Sequence, residues 1–211
     1  AQVRADGRFA TLFSTPSLWK GPVVPFVFGL CSYLAPSDWS VLVFNVAAFA
    51  LAAGCFYLGF CSFGLSRPAA LLALLLWVLY WPHHMIFGYY YAEPFLALVL
   101  AVLLLLTRWT LSGKRPYVAL LTGVVSGVLL LARAPFFFGV CGLLVFLWYH
   151  GGAGSRRRRV VACWVAGFSL AFFPWTVRNF LTYQEVIPFT TEGGKILFQG
   201  TYLPGDSVTM N

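Results

Sequence analysis

The chain has 211 residues, of which 60% are apolar and only 9% are charged, and its mean hydropathy is +0.82. Soluble domains carry about 25% charged residues, so this composition excludes a water-soluble globular protein. The net charge of +8 does not indicate nucleic-acid binding, because the basic residues are spread along apolar segments and no soluble domain presents them.

The cysteines give no sign of a disulfide framework or a metal site. None lies in a Cys-x-x-Cys pair, and most lie within apolar runs: Cys31, Cys55, Cys61, Cys141 and Cys163. We interpret them as small buried side chains. The chain starts without an initiator methionine and ends in a polar stretch, so we expect it to be a piece of a longer protein.

In chain order, the first apolar run is too short to cross a membrane. Residues 1–20 are mixed and polar, and the run 22–35 is shorter than the roughly 20 residues that a spanning helix needs. This run predicts an interfacial or re-entrant helix. Six longer apolar segments follow, and we predict a transmembrane helix in each, with flanking residues completing the shorter ones: 40–64, 69–87, 92–107, 117–131, 135–149 and 160–175.

The apolar segment 117–149 is better interpreted as two helices than as one. A single helix of that length would be about 50 Å long, whereas the hydrocarbon core is roughly 30 Å thick. It would leave Arg133 in the middle of the membrane and move Arg156–Arg159 to the opposite side. We therefore predict a turn at residues 132–134.

The charged residues sort to two sides of the predicted bundle. With residues 1–39 outside, the inside loops are 65–68, 108–116 and 150–159. These loops hold basic residues and no acidic ones: Arg67, Arg108, Lys114, Arg115 and Arg156–Arg159. The remaining basic residues fall outside. Every acidic residue of the chain also falls outside: Asp6, Asp38, Glu93, Glu185, Glu192 and Asp206. This distribution follows the positive-inside rule.

A set of polar residues on the outside forms the candidate functional site. It comes from four separate segments and consists of Asp6, Lys20, His83, His84, Glu93, Arg133, Arg178, Glu192 and Lys195. Charge at a membrane is costly, which makes such a collection informative. Carboxylates and cations on one face suit a reaction of an anionic lipid, because a carboxylate can act as a base and cations can hold phosphate.

Most of these residues also have a purely structural interpretation. Asp6 can be a solvated loop acid, and Lys20 can be a snorkelling anchor at a helix start. Glu93 can be an acid that the helix dipole favours at an N-terminus. Both histidines can be interfacial polar residues, since the sequence shows no complete set of metal ligands. Arg133 is harder to explain in this way, because an exposed anchor does not need a tight turn between two apolar runs.

Four stretches of the sequence carry a resemblance to a known superfamily. They are WKGPVVPFVFGL (19–30), YYYAEPFLALVL (89–100), GVLLLARAPFFF (127–138) and FPWTVRNFLTYQEVIPFTTEGGKILFQG (173–200). In this order they resemble the GT-C glycosyltransferases of bacterial membranes, which include the protein O-mannosyltransferases and aminoarabinose transferases. The stretches are similar to that family's proline-rich juxtamembrane segment, its TEPL motif, its GLAALTRP turn and its APWTLRNYLVFGRFVPVSTNGGLNLYLGN segment.

The fourth stretch is the most specific of these. Its positions in register with the family are Pro174, Trp175, Arg178, Asn179, Pro188, Gly193, Gly194 and Gly200. The chain departs from the family pattern at Gly7, where a second acid often stands, and at Glu192, where asparagine is frequent.

The resemblance implies an all-α membrane protein, a polytopic helical bundle of GT-C type. We expect about six transmembrane helices plus an extracytoplasmic juxtamembrane helix, in the bacterial inner membrane. The chain 1–211 would be a single partial domain that lacks the family's first helix and C-terminal part. Its extracytoplasmic loops would be 1–39 and 176–211.

The resemblance also implies inverting sugar transfer from a polyprenyl-phosphate carrier to a lipid, glycan or protein acceptor. It places Asp6 at the catalytic base, and it places the donor phosphate at Lys20, Arg133, Arg178 and Lys195. Further site candidates are His83, His84, Glu93, Glu192, Gly193 and Gly194. No cofactor follows with certainty; a divalent metal is compatible with the family, and no ligand is assigned to one.

Two other functions stay open at this point. A related outer-face enzyme, such as a polysaccharide ligase or polymerase, would act without monosaccharide carriers. A transporter or flippase component would move its substrate without forming a bond, through an aqueous path between helices.

Overall fold

All regular secondary structure in the described part of the chain is helical. The structure is a computed structural model that describes residues 21–35, 37, 39–80, 91–113 and 115–187. The α-helices over these residues are α1 (Val23–Leu34), α2 (Trp39–Ser62), α3 (Arg67–Val78), α4 (Glu93–Ser112), α5 (Pro116–Ala132), α6 (Phe137–His150) and α7 (Gly154–Tyr183). A short 3-10 helix, Ala134–Phe136, joins α5 to α6.

Proline and glycine mark several helix ends. Pro68, Pro94 and Pro116 lie in the first turns of α3, α4 and α5, where a missing N–H removes no intrahelical hydrogen bond. Gly113 ends α4 with a φ of 69°, a left-handed conformation that glycine adopts without a Cβ penalty. α5 ends because Arg133 is extended, with φ −156° and ψ 109°.

Each segment predicted to cross a membrane contains a helix, and the turn predicted at residues 132–134 is confirmed. Three of the helices, α2, α4 and α7, are long and apolar enough to span a bilayer. α3, α5 and α6 are shorter, and residues 81–87 of the second predicted span lie outside the described residues. The all-helical class is therefore confirmed over the described residues, while the count of six spans stays a prediction.

α7 extends well beyond its predicted limits. A span was expected over 160–175, between a loop at 150–159 and another from 176 onwards, but the helix covers Gly154–Tyr183. The arginine run therefore lies in the first turns of α7, and Arg178 lies near its end. The difference arises because hydropathy marks where a helix leaves hydrocarbon, not where its hydrogen bonds stop. The 30 residues of α7 give a length of about 45 Å, more than the roughly 30 Å of the apolar layer.

α5 and α7 pack closely in parallel through glycines. A Cβ atom at Gly123 would overlap the carbonyl oxygen of Trp164, and one at Gly127 would lie 2.8 Å from the Cβ of Ala171. Gly167 approaches the α5 backbone in the same way. Since position 123 faces 164 and position 127 faces 171, the two helices run in the same direction. Such small-residue contacts are typical of helix pairs in lipid, where close van der Waals packing drives association.

The bundle presents apolar side chains outward and pairs polar ones inside. Leu72 and Leu76 on α3 are more than half exposed, and Phe138 on α6 is 81% exposed. In the interior, the hydroxyl groups of Thr110 and Thr122 are 2.8 Å apart and buried. In water, so many exposed apolar groups would promote association. The arrangement is the one expected of a bundle surrounded by lipid.

Candidate functional site

One end of the bundle collects the arginines. The Arg108 Nε donates a hydrogen bond of 2.7 Å to the Ser62 carbonyl, which ties the C-terminal ends of α4 and α2 together. A guanidinium NH2 group of Arg156 donates one of 2.7 Å to the Leu111 carbonyl, which brings the start of α7 to the same place. We call this the basic end; its described arginines are Arg67, Arg108, Arg115 and Arg156–Arg159.

The opposite end holds an ion pair that joins two of the residues named from the sequence. The Arg133 Nη1 atom lies 2.6 Å from the Glu93 Oε1 atom. The side chains are 51% and 36% exposed, respectively. We call this the Glu93 end. The sequence placed both residues on one side, and the structure brings them into direct contact.

Local backbone structure positions both partners. Glu93 is in the first turn of α4, where the helix dipole stabilises a carboxylate. Arg133 caps the end of α5, and its N–H donates to the Leu129 carbonyl over 3.0 Å. The second oxygen of Glu93, Oε2, is buried and has no hydrogen-bond partner among the described residues. It is therefore an acceptor that an added hydroxyl or N–H group could satisfy.

Arg178 lies on α7 in an aromatic setting. Its guanidinium carbon is 4.9 Å from the centre of the Trp175 ring and 5.9 Å from that of Tyr183, within the range of cation–π attraction. Its Nη1 also donates a hydrogen bond of 3.0 Å to the Asn179 Oδ1. The aromatic rings restrict the position of the guanidinium near the end of the helix.

Asn179 fastens the chain that leaves α7. Asn179 is 0% exposed, and its Nδ2 donates a hydrogen bond of 2.9 Å to the Ile187 carbonyl. Gln184 ends the helix in a left-handed conformation, with φ of 59°. One buried amide therefore connects Arg178 to the segment that follows α7.

Arg178 and Arg133 lie at the same end of the bundle. Position 127 of α5 faces position 171 of the parallel helix α7. Arg133 lies six residues after position 127, and Arg178 lies seven residues after position 171. That corresponds to about 9–10 Å of helical rise in both cases. Arg133 and Arg178 therefore share the Glu93 end with the carboxylate of Glu93.

The helix α1 also packs at this end. A Cβ atom at Gly21 would overlap the carbonyl oxygen of Leu131 at the end of α5. The ring of Phe44 on α2 has centroid distances of 5.9 Å to Phe28 and 6.4 Å to Phe95, which links α1 to the start of α4. The predicted helix of the run 22–35 is thus confirmed as a helix beside the candidate site.

The Cys31 thiol on α1 is not suited to nucleophilic chemistry. Burial raises its pKa, and a backbone hydrogen bond opposes this effect only in part. A thiol is reactive as the thiolate, so a raised pKa keeps Cys31 neutral at physiological pH. The prediction that the cysteines are buried is wrong: Cys141 is exposed and the other four are only partly buried, because they lie on helix faces that other helices do not cover.

Comparison with known proteins adds no relative. No protein-family model, curated protein or solved structure matches this chain.

Several predicted site residues lie outside the described residues, and their roles stay predictions. They are Asp6, Lys20, His83, His84, Glu192, Gly193, Gly194 and Lys195. Within the described residues, no group of three histidine, cysteine or acidic side chains is arranged to hold a metal. The described part of the chain accordingly gives no support for a divalent metal of the kind compatible with the family that it resembles.

Sequence reasoning assigned no role in the site to three residues that shape it, although two of them are among the positions of the fourth stretch in register with the family. Trp175 and Tyr183 flank Arg178, and Asn179 connects it to the following segment. A helical reading of residues 175–183 would have put Trp175 one turn before Arg178. The expectation of a loop from residue 176 concealed that signal.

Proposed function

We propose that this protein is a membrane glycosyltransferase of GT-C type. It moves a sugar from a polyprenyl-phosphate carrier to a lipid, glycan or protein acceptor and inverts the anomeric carbon. In this proposal the chain crosses the bacterial inner membrane six times, with the Glu93 end and α1 on the extracytoplasmic face.

The observation that carries the proposal is the ion pair between Glu93 and Arg133, with Arg178 at the same end of the bundle. Charge is expensive at a membrane, and at the Glu93 end a carboxylate and two guanidinium groups occur together. The stretches 89–100, 127–138 and 173–200 that carry these residues are also those that resemble the superfamily. Geometry and resemblance therefore support the same location.

The reaction is a single displacement at the anomeric carbon. The carboxylate of Asp6 takes the proton of an acceptor hydroxyl as the hydroxyl oxygen attacks that carbon. The bond between the carbon and the phosphate oxygen breaks, and its electron pair leaves with polyprenyl phosphate. Attack on the side opposite the leaving group produces the inversion.

Cations balance the negative charge that develops on the departing phosphate. Arg133 and Arg178 serve this role, with Lys20 and Lys195 as further donors. A guanidinium has five N–H donors, and Glu93 takes one of those of Arg133. Glu93 thus orients the guanidinium, while other N–H groups of Arg133 point to the phosphate. The isoprenoid tail stays in the bilayer, where each buried CH₂ contributes about 0.8 kcal/mol.

Sugar transfer in membranes tests the proposal. Membranes that contain the full protein are incubated with radiolabelled polyprenyl-phosphate sugars, and wild type is compared with Asp6→Asn. Loss of general-base catalysis lowers turnover by roughly 10²–10⁴-fold. Asp38→Asn is the matched control, because Asp38 is another acid of the segment 1–39 and has no assigned role. Its turnover should equal that of wild type.

Each other outcome points to a defined alternative. Transfer that persists in Asp6→Asn, at normal expression, moves the base to Glu93 or Glu192. Transfer only from oligosaccharide carriers favours a ligase or polymerase. Substrate movement without bond formation favours a transporter or flippase component.

A further inference from the structure

The basic end contains a small cavity between three helices. Its volume is about 60 Å³, whereas a cavity needs only about 10–15 Å³ to hold a water molecule. Its polar lining comes from the end of α4, the start of α5 and the first turns of α7, and includes Thr110, Arg115, Arg156 and Arg159. Three arginines therefore line a space large enough for a group of several atoms.

The Arg156 side chain is held in place at this cavity. One of its guanidinium nitrogens donates to the Leu111 carbonyl over 2.7 Å. Its guanidinium also lies directly against Gly113, at a place that any Cβ atom would occupy. On the other side, a Cβ atom added at Gly152 would lie 2.8 Å from the Arg156 Cδ. Two glycines and one carbonyl thus fix this arginine before any ligand arrives.

The second arginine is also restrained. An Nη1 hydrogen bond of 2.8 Å joins Arg115 to the Tyr117 hydroxyl, and the Arg115 guanidinium lies 5.9 Å from the centre of the Tyr117 ring. Arg159 lies one turn after Arg156 on α7, so that the two side chains share a face of the helix.

No carboxylate of the described part of the chain lies near these arginines. The described acids, Glu93 and Glu185, are both at the Glu93 end. Positive charges on three arginines that line one cavity, with no described carboxylate nearby, repel one another. An anion in the cavity would remove that repulsion and satisfy the guanidinium donors.

We propose that this cavity binds the phosphate group of an anionic membrane lipid. Phosphate matches the fork of N–H donors that guanidinium groups present. The cavity lies where the apolar helices give way to arginine, which is the depth of lipid headgroups. The binding site is independent of sugar transfer, because it lies at the opposite end of the bundle from Glu93.

Lipid titration of the purified full protein in detergent tests the proposal. Native mass spectrometry measures the dissociation constant for dioleoyl phosphatidylglycerol, with dioleoyl phosphatidylcholine and inorganic phosphate as separate arms. One phosphatidylglycerol should bind tightly per protein. Phosphatidylcholine should bind at least about tenfold more weakly, since its ammonium group cancels the phosphate charge.

Two neighbouring arginines separate a defined site from a general surface effect. Arg159→Gln should weaken phosphatidylglycerol binding by about tenfold or more, because a charge-assisted hydrogen bond is lost. Arg158 is exposed, as Arg159 is, but it does not line the cavity, and Arg158→Gln removes the same charge. A general attraction of lipid to arginine would change affinity by about fivefold per residue, equally in both variants. Equal losses would therefore overturn the site.

The remaining outcomes are equally decisive. Binding of inorganic phosphate alone, with the same dependence on Arg159, would overturn the lipid as the source of the phosphate. Arg159→Lys keeps the charge and serves if Arg159→Gln does not fold; it should retain binding within a few fold. Full loss of binding in Arg159→Lys with an intact helical spectrum would contradict this expectation, and no preference of wild type for phosphatidylglycerol over phosphatidylcholine overturns the proposal.

Discussion

At the scale of single residues, the ion pair between Glu93 and Arg133 is better explained by orientation than by stability. The Arg133 side chain is 51% exposed and the Glu93 side chain 36%. Exposed ion pairs contribute only about 0–1 kcal/mol, because solvent screens them and two long side chains lose freedom. The pair therefore fixes the direction of the Arg133 guanidinium at the Glu93 end. This direction affects how the guanidinium would bind a phosphate, whereas the pair adds little to the free energy of unfolding.

Replacement of Arg133 by glutamine should separate activity from stability. We expect Arg133→Gln to change the free energy of unfolding in detergent by no more than about 1 kcal/mol. Sugar transfer should fall at least about tenfold, which corresponds to 1.36 kcal/mol in the activation barrier. Arg67→Gln, at the basic end, is the matched control and should transfer normally. Unchanged transfer in Arg133→Gln would remove this residue from the site.

Asn179 should matter more for the segment after α7 than its size suggests. Asn179→Ala leaves the Ile187 carbonyl and the Arg178 guanidinium without a buried amide, at a cost of about 1–3 kcal/mol. Hydrogen exchange of residues 184–187 should become faster.

Thr182→Val provides the comparison for Asn179. Its hydroxyl donates to the Arg178 carbonyl over 2.8 Å on an exposed surface, so its loss should leave exchange unchanged. Equal exchange in Asn179→Ala and wild type would show that the amide does not hold this segment.

At the scale of elements, the parallel contact of α5 with α7 sets the position of the candidate site. The glycines allow the two backbones to approach closely, and this fixes the register that places Arg133 and Arg178 at one end. The spacing Gly123-x-x-x-Gly127 was present in the sequence and is a known signal for helix contact in membranes. This spacing identifies a face of α5 that packs against another helix, but it does not identify which helix.

Glycine-to-alanine substitutions should have opposite effects at contact and non-contact positions. Gly167→Ala would push its Cβ into the Leu120 carbonyl and should destabilise the bundle by about 1–3 kcal/mol. Gly142→Ala on α6 meets nothing within 4 Å, so the better helix propensity of alanine should stabilise it by up to about 1 kcal/mol.

Thermal unfolding in detergent, followed by circular dichroism, measures both glycine variants. A lower midpoint for Gly167→Ala and an equal or higher one for Gly142→Ala are expected. The same shift in both would mean that the α5–α7 contact is not tight in solution.

At the scale of the whole molecule, the two ends of the bundle differ in charge, and this difference predicts orientation. Arginines at the helix ends favour the cytoplasmic side of a membrane. The structure connects them physically, since Arg108 and Arg156 bind carbonyl groups of neighbouring elements at the same end. The proposed cytoplasmic side and the proposed lipid site therefore share this end of the bundle.

Cysteine labelling should confirm the orientation. In a variant whose native cysteines are replaced by alanine, Glu185→Cys should react with a membrane-impermeant maleimide in intact cells. Ser155→Cys, which is exposed at the start of α7, should react only after permeabilisation. Because α7 is long enough to span a bilayer, the two positions belong to opposite sides. Labelling of both from one side would contradict the proposed topology.

The sequence by itself determined the class of the protein, the helical segments and the turn at residues 132–134. These follow from local properties: apolar length, proline and the high cost of charge in hydrocarbon. The limits of α7 did not follow, because its arginines and its segment 176–183 are polar enough to be taken for loops. A helix end depends on hydrogen bonding and capping, which hydropathy does not report.

Only the tertiary structure decided which residues meet. Glu93 and Arg133 are 40 residues apart, and their contact depends on how α4, α5 and α7 pack. The same holds for the cavity of Arg115, Arg156 and Arg159, which requires the start of α7 to lie against the end of α4. Which residues form long-range contacts depends on how whole helix faces fit together. The composition and periodicity of a single sequence do not show that fit.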